Sequence, residues 1–259
     1  MLIEWWHYLR TPVAFPYLKP MGFLTESIGM QMRYRRCRSF WDIHYRHCRE
    51  VVRTLAEECK SKRTVIILGA GSLHDLPLDY LAKNFHQVKL VDLLFLSGAR
   101  RKVESYSNVT LIEQDISCSL QQVFTGSTAV SEGDFALNDD AVDLVVSMNV
   151  LGQLPLIPVK WLEKMYRFEP LALQKVSQDF LRHHLNYLRA FHCPVCLISD
   201  REIQTFNQEG QLVDSSDIWW GLEPVAANFE WDWEIAPFGE LDARTRQVRR
   251  VGVSVMKPH

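Results

Sequence analysis

The sequence carries almost no net charge, because 29 lysines and arginines offset 31 aspartates and glutamates to give a formal value of −2. A chain-wide basic field that would attract nucleic acid is therefore missing, and a nucleic-acid partner is not expected. No run comes near the roughly 20 apolar residues of a membrane-spanning helix, so no transmembrane segment is predicted. The start of the chain lacks the pattern of a secretory signal, and a cytoplasmic location is expected.

Cysteine is also scarce, with six in 259 residues, which is too few for a disulfide-stabilised scaffold. Cys37, Cys48 and Cys59 are spaced 11 residues apart, about three helical turns, so they share one stripe of a helix. Such a stripe is typical of small apolar core residues. Cys193 and Cys196 have the spacing of a redox pair, but they open a predicted strand and lack the helix N-terminus that stabilises a thiolate. We expect them to be buried thiols.

The N-terminal segment differs from the rest in its many aromatic residues and in the prolines at positions 12, 16 and 20. Residues 1–36 are predicted to form an irregular arm with at most short helices, and residues 37–259 a single α/β domain. Two interpretations of the arm are open: a lid over a site, or packing on the flank of the domain. The aromatic side chains available for either role are Trp5, Trp6, Tyr8, Phe15 and Tyr17.

A helix is predicted next, because apolar residues recur at helical spacing from about Arg38 to Lys60. His44 and Cys48 lie on its apolar face without a second ligand cluster, so no metal site is predicted. The densest basic run, residues 33–38, is interpreted as a solvated helix start; contact with RNA phosphates or anionic lipid is the alternative.

Short apolar runs then alternate with helical segments. The predicted strands are residues 64–68, 88–92, 109–113, 142–150 and 194–199. Strands that alternate with helices form a parallel sheet covered on both faces. Residues 231–238 and 249–256 have hairpin spacing. The predicted fold is therefore α/β, a Rossmann-like, mostly parallel sheet with helices on both faces and a C-terminal antiparallel hairpin.

A glycine turn, Gly69-Ala70-Gly71, follows the first predicted strand. Glycines there let the backbone turn tightly and approach a ligand. Asp92 ends the second strand, 21 residues after Gly71, where a carboxylate can accept hydrogen bonds from both hydroxyls of a ribose. The alternatives are a plain tight turn for the glycines, and for Asp92 an N-cap of a helix that starts at Leu93.

Two more strands bring polar groups to the same edge of the sheet. Asp115 follows the third strand, within reach of the exocyclic amine of an adenine; the alternative is a capping role, for which Ser117 competes. Asn149 lies at the end of the fourth predicted strand, and Gly152 follows it. Because open α/β sheets bind ligands outside the carboxyl ends of their strands, these groups predict one shared site.

Over about residues 40–258 the chain resembles class I S-adenosylmethionine-dependent methyltransferases. The resemblance rests on the glycine turn, on Asp92, on Gln114-Asp115-Ile116, on residues 143–151 and on the reversed last strand. It implies S-adenosyl-L-methionine as cofactor. A small molecule is expected as methyl acceptor, because no appended domain that would recognise a protein or an RNA is apparent. The resemblance also implies a cofactor site made of Gly69, Ala70, Gly71, Asp92, Leu93, Asp115, Ile116, Asn149 and Val150.

The resemblance implies a role for each part of that site. Gly69 and Gly71 would lie against the methionine part of the cofactor, and Asp92 would hold the ribose. The segment Asp115-Ile116 would frame the adenine, and Asn149-Val150 would line the gap between the sulfonium and the acceptor. The chain departs from the family at Ile67, where an acidic residue is frequent, and at residues 72–73, where a third glycine is common.

Two other functions compete with a methyltransferase. An NAD(P)-dependent oxidoreductase also fits the glycine turn and Asp92, but the third glycine of its fingerprint is absent from residues 72–74. A non-catalytic, methyltransferase-like binding module is supported by Ile67. No catalytic residue is assigned, since methyl transfer mainly requires alignment of the reacting groups. No motif specifies the oligomeric state.

Two further pairs of residues are possible parts of an acceptor site. Either His183 or His184 would face a pocket and act as a base, although a packed or solvated histidine is the commoner situation. Trp219 and Trp220, in the stretch from Asp200 that is expected to cover the sheet edge, would stack on a flat acceptor; a structural role in the core is the alternative.

Overall fold

The computed structural model describes residues 8–256 of the chain. Its strands are β1 Thr64–Leu68, β2 Gln87–Asp92, β3 Val109–Glu113, β4 Val142–Met148, β5 Val195–Asn207, β6 Leu212–Asp217, β7 Phe229–Ala236 and β8 Thr245–Met256. Its helices are α1 Leu18–Met21, α2 Phe23–Glu58, α3 Leu78–Asn84, α4 Ser97–Val103, α5 Leu120–Phe124, α6 Leu156–Tyr166 and α7 Pro170–Arg189, with a 3₁₀ turn at Leu151–Gln153. Within the described range, no helix is both long and apolar enough to cross a membrane.

The strands form one sheet in the order β3-β2-β1-β4-β5-β8-β7, and β6 pairs with the far end of β5. Strands β1 to β5 are parallel to their neighbours, whereas β8 runs antiparallel to both β5 and β7. The first five strands in this order form a doubly wound sheet. From β1 the chain first adds β2 and β3 on one side, and then returns to add β4 and β5 on the other side. The predicted Rossmann-like sheet with a C-terminal antiparallel pair is confirmed.

Both faces of the sheet are buried, because successive side chains of a strand point to opposite sides. In β1, Ile66 and Leu68 join the core under α6 and α7, while Val65 and Ile67 join the core under α2 and α3. All five residues of β1 are buried. This explains the continuous run of apolar residues in the sequence, which is typical of a central parallel strand.

The N-terminal segment differs from its prediction. Helix α2 begins at Phe23, inside the predicted irregular arm, and continues across the predicted boundary at residue 36 with one kink at Cys37. The prolines all precede Gly22, which ends α1 with a left-handed φ of 100°. Residues 23–36 contain no proline, so the predicted irregular structure with at most short helices was wrong for them.

The segment after the fifth predicted strand also differs. Strand β5 continues to Asn207, and β6 pairs with it in an antiparallel ladder from Glu202 to Phe206. This stretch was expected to cover the sheet edge as a polar loop. All six residues of β6 are exposed, so they lack the apolar alternation that reveals a strand in a sequence.

Candidate functional site

A pocket of about 350 Å³ opens at the carboxyl ends of β1, β2, β3 and β4. All nine residues that the sequence assigns to the site line it: Gly69, Ala70, Gly71, Asp92, Leu93, Asp115, Ile116, Asn149 and Val150. The strand order brings them together, because parallel strands end at one edge. Their role in binding a cofactor stays a prediction.

The two glycines of the turn differ in how closely other atoms approach them. Gly69 has a φ of +78°, and a Cβ atom there would lie 2.7 Å from the carbonyl oxygen of Met148 and 2.9 Å from Cβ of Val150. Gly71 has a φ of +45°, and a Cβ atom there would meet Oδ2 of Asp92 at 3.6 Å. Gly69 therefore lets β1 and β4 approach each other, whereas Gly71 leaves its backbone open to the pocket.

Replacing Gly69 by alanine is expected to lower the free energy of unfolding by about 2–4 kcal/mol, since it combines left-handed strain with a backbone clash. Gly71→Ala is the matched control. It carries the strain without the clash, and should cost about 1 kcal/mol. Urea denaturation of both variants measures the difference, and equal losses would contradict the packing role of Gly69.

Asp92 is the last residue of β2, and its carboxylate holds the glycine turn. Its Oδ2 accepts a hydrogen bond from the backbone N–H of Gly71 at 2.8 Å, and its Oδ1 accepts one from Leu93 at 2.7 Å. Burial raises the pKa of Asp92 to about 6. The helix that follows begins only at Ser97, so Asp92 is not its N-cap. A carboxylate has about four acceptor positions, and capacity is left for hydroxyl groups in the pocket.

Asp115 has a different environment, because its carboxylate is occupied by its own loop. Oδ1 accepts hydrogen bonds from the backbone and the hydroxyl of Ser117 at 3.0 and 2.6 Å. Oδ2 accepts bonds from the backbone of Ser119 and Leu120 at 3.0 and 2.9 Å. These four bonds favour the capping alternative over a direct bond to a ligand amine. The neighbouring Ile116 is buried and adds an apolar wall to the pocket.

A polar cluster at the end of β4 includes a residue that the sequence reasoning missed. Nδ2 of Asn149 donates to Oδ2 of Asp75 at 3.4 Å and lies 3.3 Å from Nε2 of His44. In residues 8–256, Oδ1 of Asn149 is buried without a hydrogen-bond partner. Burial raises the pKa of Asp75 to about 6. A carboxylate shortly after the glycine turn was the signal available in the sequence.

His44 is held inside the core, as its place on the apolar face of the helix indicates. Its Nδ1 accepts a hydrogen bond from Nε1 of Trp231 at 3.0 Å, and its ring stacks on Trp233 with centroids 4.0 Å apart. Burial lowers the pKa of His44 to about 3, so the ring is neutral at pH 7. Because an indole can only donate, the hydrogen of the neutral ring is on Nε2, where Sγ of Cys48 lies 3.6 Å away as its acceptor.

The remaining histidine and cysteine candidates are packed away from the pocket. Nε2 of His184, on α7, lies 2.9 Å from the hydroxyl of Ser147, on β4, and both side chains are buried. Cys193 and Cys196 are buried thiols, as predicted, and burial raises the pKa of each to about 12. Among the described residues, no group of three or more histidine, cysteine or acidic side chains is placed to hold a metal ion.

Helix α2 provides the cover of the pocket. Its first turns contribute the lining residues Phe23, Glu26, Ser27, Met30, Gln31 and Tyr34. The aromatic arm packs elsewhere: Tyr17 is buried, and Phe15 stacks on it with centroids 5.4 Å apart. This arrangement favours packing on the flank for that part of the arm. Trp5 and Trp6 lie outside the described residues.

The basic run and the paired tryptophans have structural partners. Arg33 and Arg36 pair with Glu240, at 3.3 and 2.6 Å. Trp219 is fully buried and donates from Nε1 to the carbonyl oxygen of Asp200 at 3.2 Å. Neither Trp219 nor Trp220 lines the pocket, which favours a structural role over stacking on an acceptor.

Comparison with known proteins gives structural likeness alone. No protein-family model and no curated protein matches the sequence. The chain is similar to the solved N-methyltransferase NodS from Bradyrhizobium japonicum, with 12% identity, 82% of this chain and 87% of that one covered, and a TM-score of 0.35. It is similar to 1,6-didemethyltoxoflavin-N1-methyltransferase from Burkholderia thailandensis, with 12% identity, coverage of 96% and 92%, and a TM-score of 0.40.

A third similar structure is a SAM-dependent methyltransferase from Leishmania major, with 15% identity, coverage of 81% and 72%, and a TM-score of 0.34. Scores this low do not transfer an activity or a ligand. The assignment of the fold rests on this chain's own sheet, with its doubly wound first five strands and the reversed strand β8 beside β5. The chain therefore has the Rossmann-like fold of class I methyltransferases.

Proposed function

We propose that the protein is an S-adenosylmethionine-dependent methyltransferase that acts on a small molecule. The observation that carries this proposal is the cradle made by the glycine turn and Asp92. The backbone of Gly71 and the carboxylate of Asp92 are 2.8 Å apart and line the same pocket. A site that binds a nucleoside needs a backbone that the ligand can approach closely and an acceptor for the hydrogen bonds of the ribose hydroxyls.

The residues present fit an adenosyl group in three respects. Asp92 has acceptor capacity for the two ribose hydroxyls. Leu93 and Ile116 offer apolar surfaces from adjacent strand ends, between which a flat base can lie. Gly71 has no side chain beside the Asp92 carboxylate; a Cβ atom there would lie 3.6 Å from Oδ2. When bound there, the cofactor would supply an electrophilic methyl group.

The chain's own contribution would be to align the acceptor and to exclude water. Val150 lines the pocket directly after β4 and packs against the turn at Gly69. Helix α2 covers the pocket, which limits the size of an acceptor and supports a small molecule. Alignment and exclusion of water account for much of the rate in such a transfer.

Calorimetric titration with S-adenosylhomocysteine and with NADH tests the proposal against the oxidoreductase alternative. We expect S-adenosylhomocysteine to bind with one site per chain and NADH to show no saturable binding. At about 100 times its dissociation constant, a ligand that binds only the folded state adds roughly 2.7 kcal/mol of stability, which a melting curve detects. Binding of NADH in place of S-adenosylhomocysteine would overturn the proposal.

A further inference from the structure

The end of the pocket beyond the glycine turn is lined by aromatic rings, here named the ring wall: Tyr34, Trp41, Tyr45, His74 and Trp233. The rings contact one another, with centroids 4.1 Å apart for Tyr34 and His74 and 5.1 Å apart for Trp41 and Trp233. The opposite end, around Leu93, Leu94 and Ile116, is aliphatic. The two ends therefore suit ligand groups of different chemistry.

The Asp75 carboxylate lines the pocket together with the ring wall. Among residues 8–256, no lysine or arginine forms an ion pair with it. The two nearest cations are engaged by backbone carbonyls: Lys102 donates to Leu73 at 2.9 Å, and Arg49 donates to His74 at 2.6 Å. Asp75 thus has a neutral partner, Asn149, and free acceptor capacity.

The surroundings add a second acceptor, and one cation, Lys102, also lines the pocket. Oδ1 of Asn149 is buried, faces no donor among the described residues, and belongs to a side chain that lines the pocket. Burial, with nearby Lys102, Arg38 and Arg49, lowers the pKa of His74 to about 4, so this ring is neutral at pH 7. The electron-rich faces of neutral aromatic rings attract a cation placed within about 6 Å.

We propose that Asp75, Asn149 and the ring wall form a binding site for an ammonium group of a ligand. An ammonium supplies hydrogen-bond donors to both acceptors and positive charge to the carboxylate and the rings. Given the proposed function, two sources of this group exist: the α-ammonium at the amino-acid end of the cofactor, and the amine of a methyl acceptor. A ligand carboxylate or phosphate would be repelled by Asp75.

Calorimetry with two nucleosides tests the first source. S-adenosylhomocysteine has the amino-acid end, and 5′-methylthioadenosine lacks it. In the Asp75→Asn variant we expect the affinity for S-adenosylhomocysteine to fall at least tenfold, and that for 5′-methylthioadenosine to change less than twofold. Asp42→Asn is the matched control, because it makes the same change at an exposed carboxylate that does not line the pocket. It should leave both affinities unchanged.

The second arm tests the acceptor as the source. Protein saturated with S-adenosylhomocysteine is titrated with 2-phenylethylamine and with the neutral 2-phenylethanol. Binding of the amine alone, abolished by Asp75→Asn and retained by Asp42→Asn, would assign the site to the acceptor. Melting temperatures of the unliganded variants show that each is folded; asparagine at position 75 keeps an acceptor for Nδ2 of Asn149.

The proposal is overturned if Asp75→Asn changes neither the affinity for S-adenosylhomocysteine nor the binding of the amine. Failure of the unaltered protein to bind either nucleoside would instead refute the proposed function. In that case the amine titration without nucleoside still tests the ammonium site, since it depends on Asp75 and the ring wall alone.

Discussion

Replacing Asp92 by alanine is expected to weaken the binding of S-adenosylhomocysteine by about two to three orders of magnitude. A hydrogen bond to a charged group contributes about 1.5–3 kcal/mol, and the carboxylate is placed to accept one from each ribose hydroxyl. Tenfold in affinity corresponds to about 1.4 kcal/mol. The variant also releases the backbone of Gly71, which the carboxylate holds at 2.8 Å in the unliganded protein.

The control for this variant is Glu113→Ala. Glu113 pairs with Asp92 in the register of β2 and β3, but its carboxylate binds Arg100 at 2.7 Å and does not line the pocket. It should change the affinity less than about threefold. If Asp92→Ala binds S-adenosylhomocysteine as tightly as the unaltered protein, the ribose contact is absent and the proposed cofactor pose fails.

The sheet was predictable because its central strands are buried on both faces. Residues 64–68 appear in the sequence as an uninterrupted apolar run, and the structure has β1 at the same five positions. The polar residues that follow each run then had to lie at one edge, whatever the details of the helices. Topology alone therefore brought Gly71, Asp92, Asp115 and Asn149 to one pocket.

Helix α2 was harder to predict because its first half has little apolar periodicity. Leu24 and Ile28 are the buried residues of its first turns, while Met30 and Tyr34 line the pocket and are only partly buried against the core. The sequence therefore indicated the helix clearly only from about residue 38, beyond the kink at Cys37.

The Asp75 cluster depends on contacts between distant segments. His44 is on α2, Asp75 follows β1, Asn149 follows β4 and Trp233 is on β7. No spacing in the sequence relates these positions. The pattern of apolar residues around them in the sequence assigns His44 and Trp233 to the core. Their place beside the pocket follows only from the three-dimensional packing.

A buried ion pair beside this cluster is expected to give the largest change in stability. Arg249 donates from a guanidinium nitrogen to Oδ2 of Asp200, and the two side chains are only 16% and 5% exposed. Removing one partner of a buried pair leaves the other charge uncompensated, which typically costs about 3–5 kcal/mol. Asp200→Ala should therefore lower the free energy of unfolding by that amount, a large part of the stability of an ordinary domain.

The double variant Asp200→Ala with Arg249→Met separates the cost of an unpaired charge from the value of the pair. Replacing both partners by apolar groups is often close to neutral, so the double variant should recover most of the loss. Glu57→Ala, which breaks the exposed pair with Arg53, should change the stability little. Because Arg249 also lies over the Trp233 ring at 5.8 Å, Asp200→Ala should loosen the ring wall and weaken S-adenosylhomocysteine binding as well. Urea denaturation measures all three variants, and a double variant no more stable than Asp200→Ala would show that Asp200 acts through packing and not through charge.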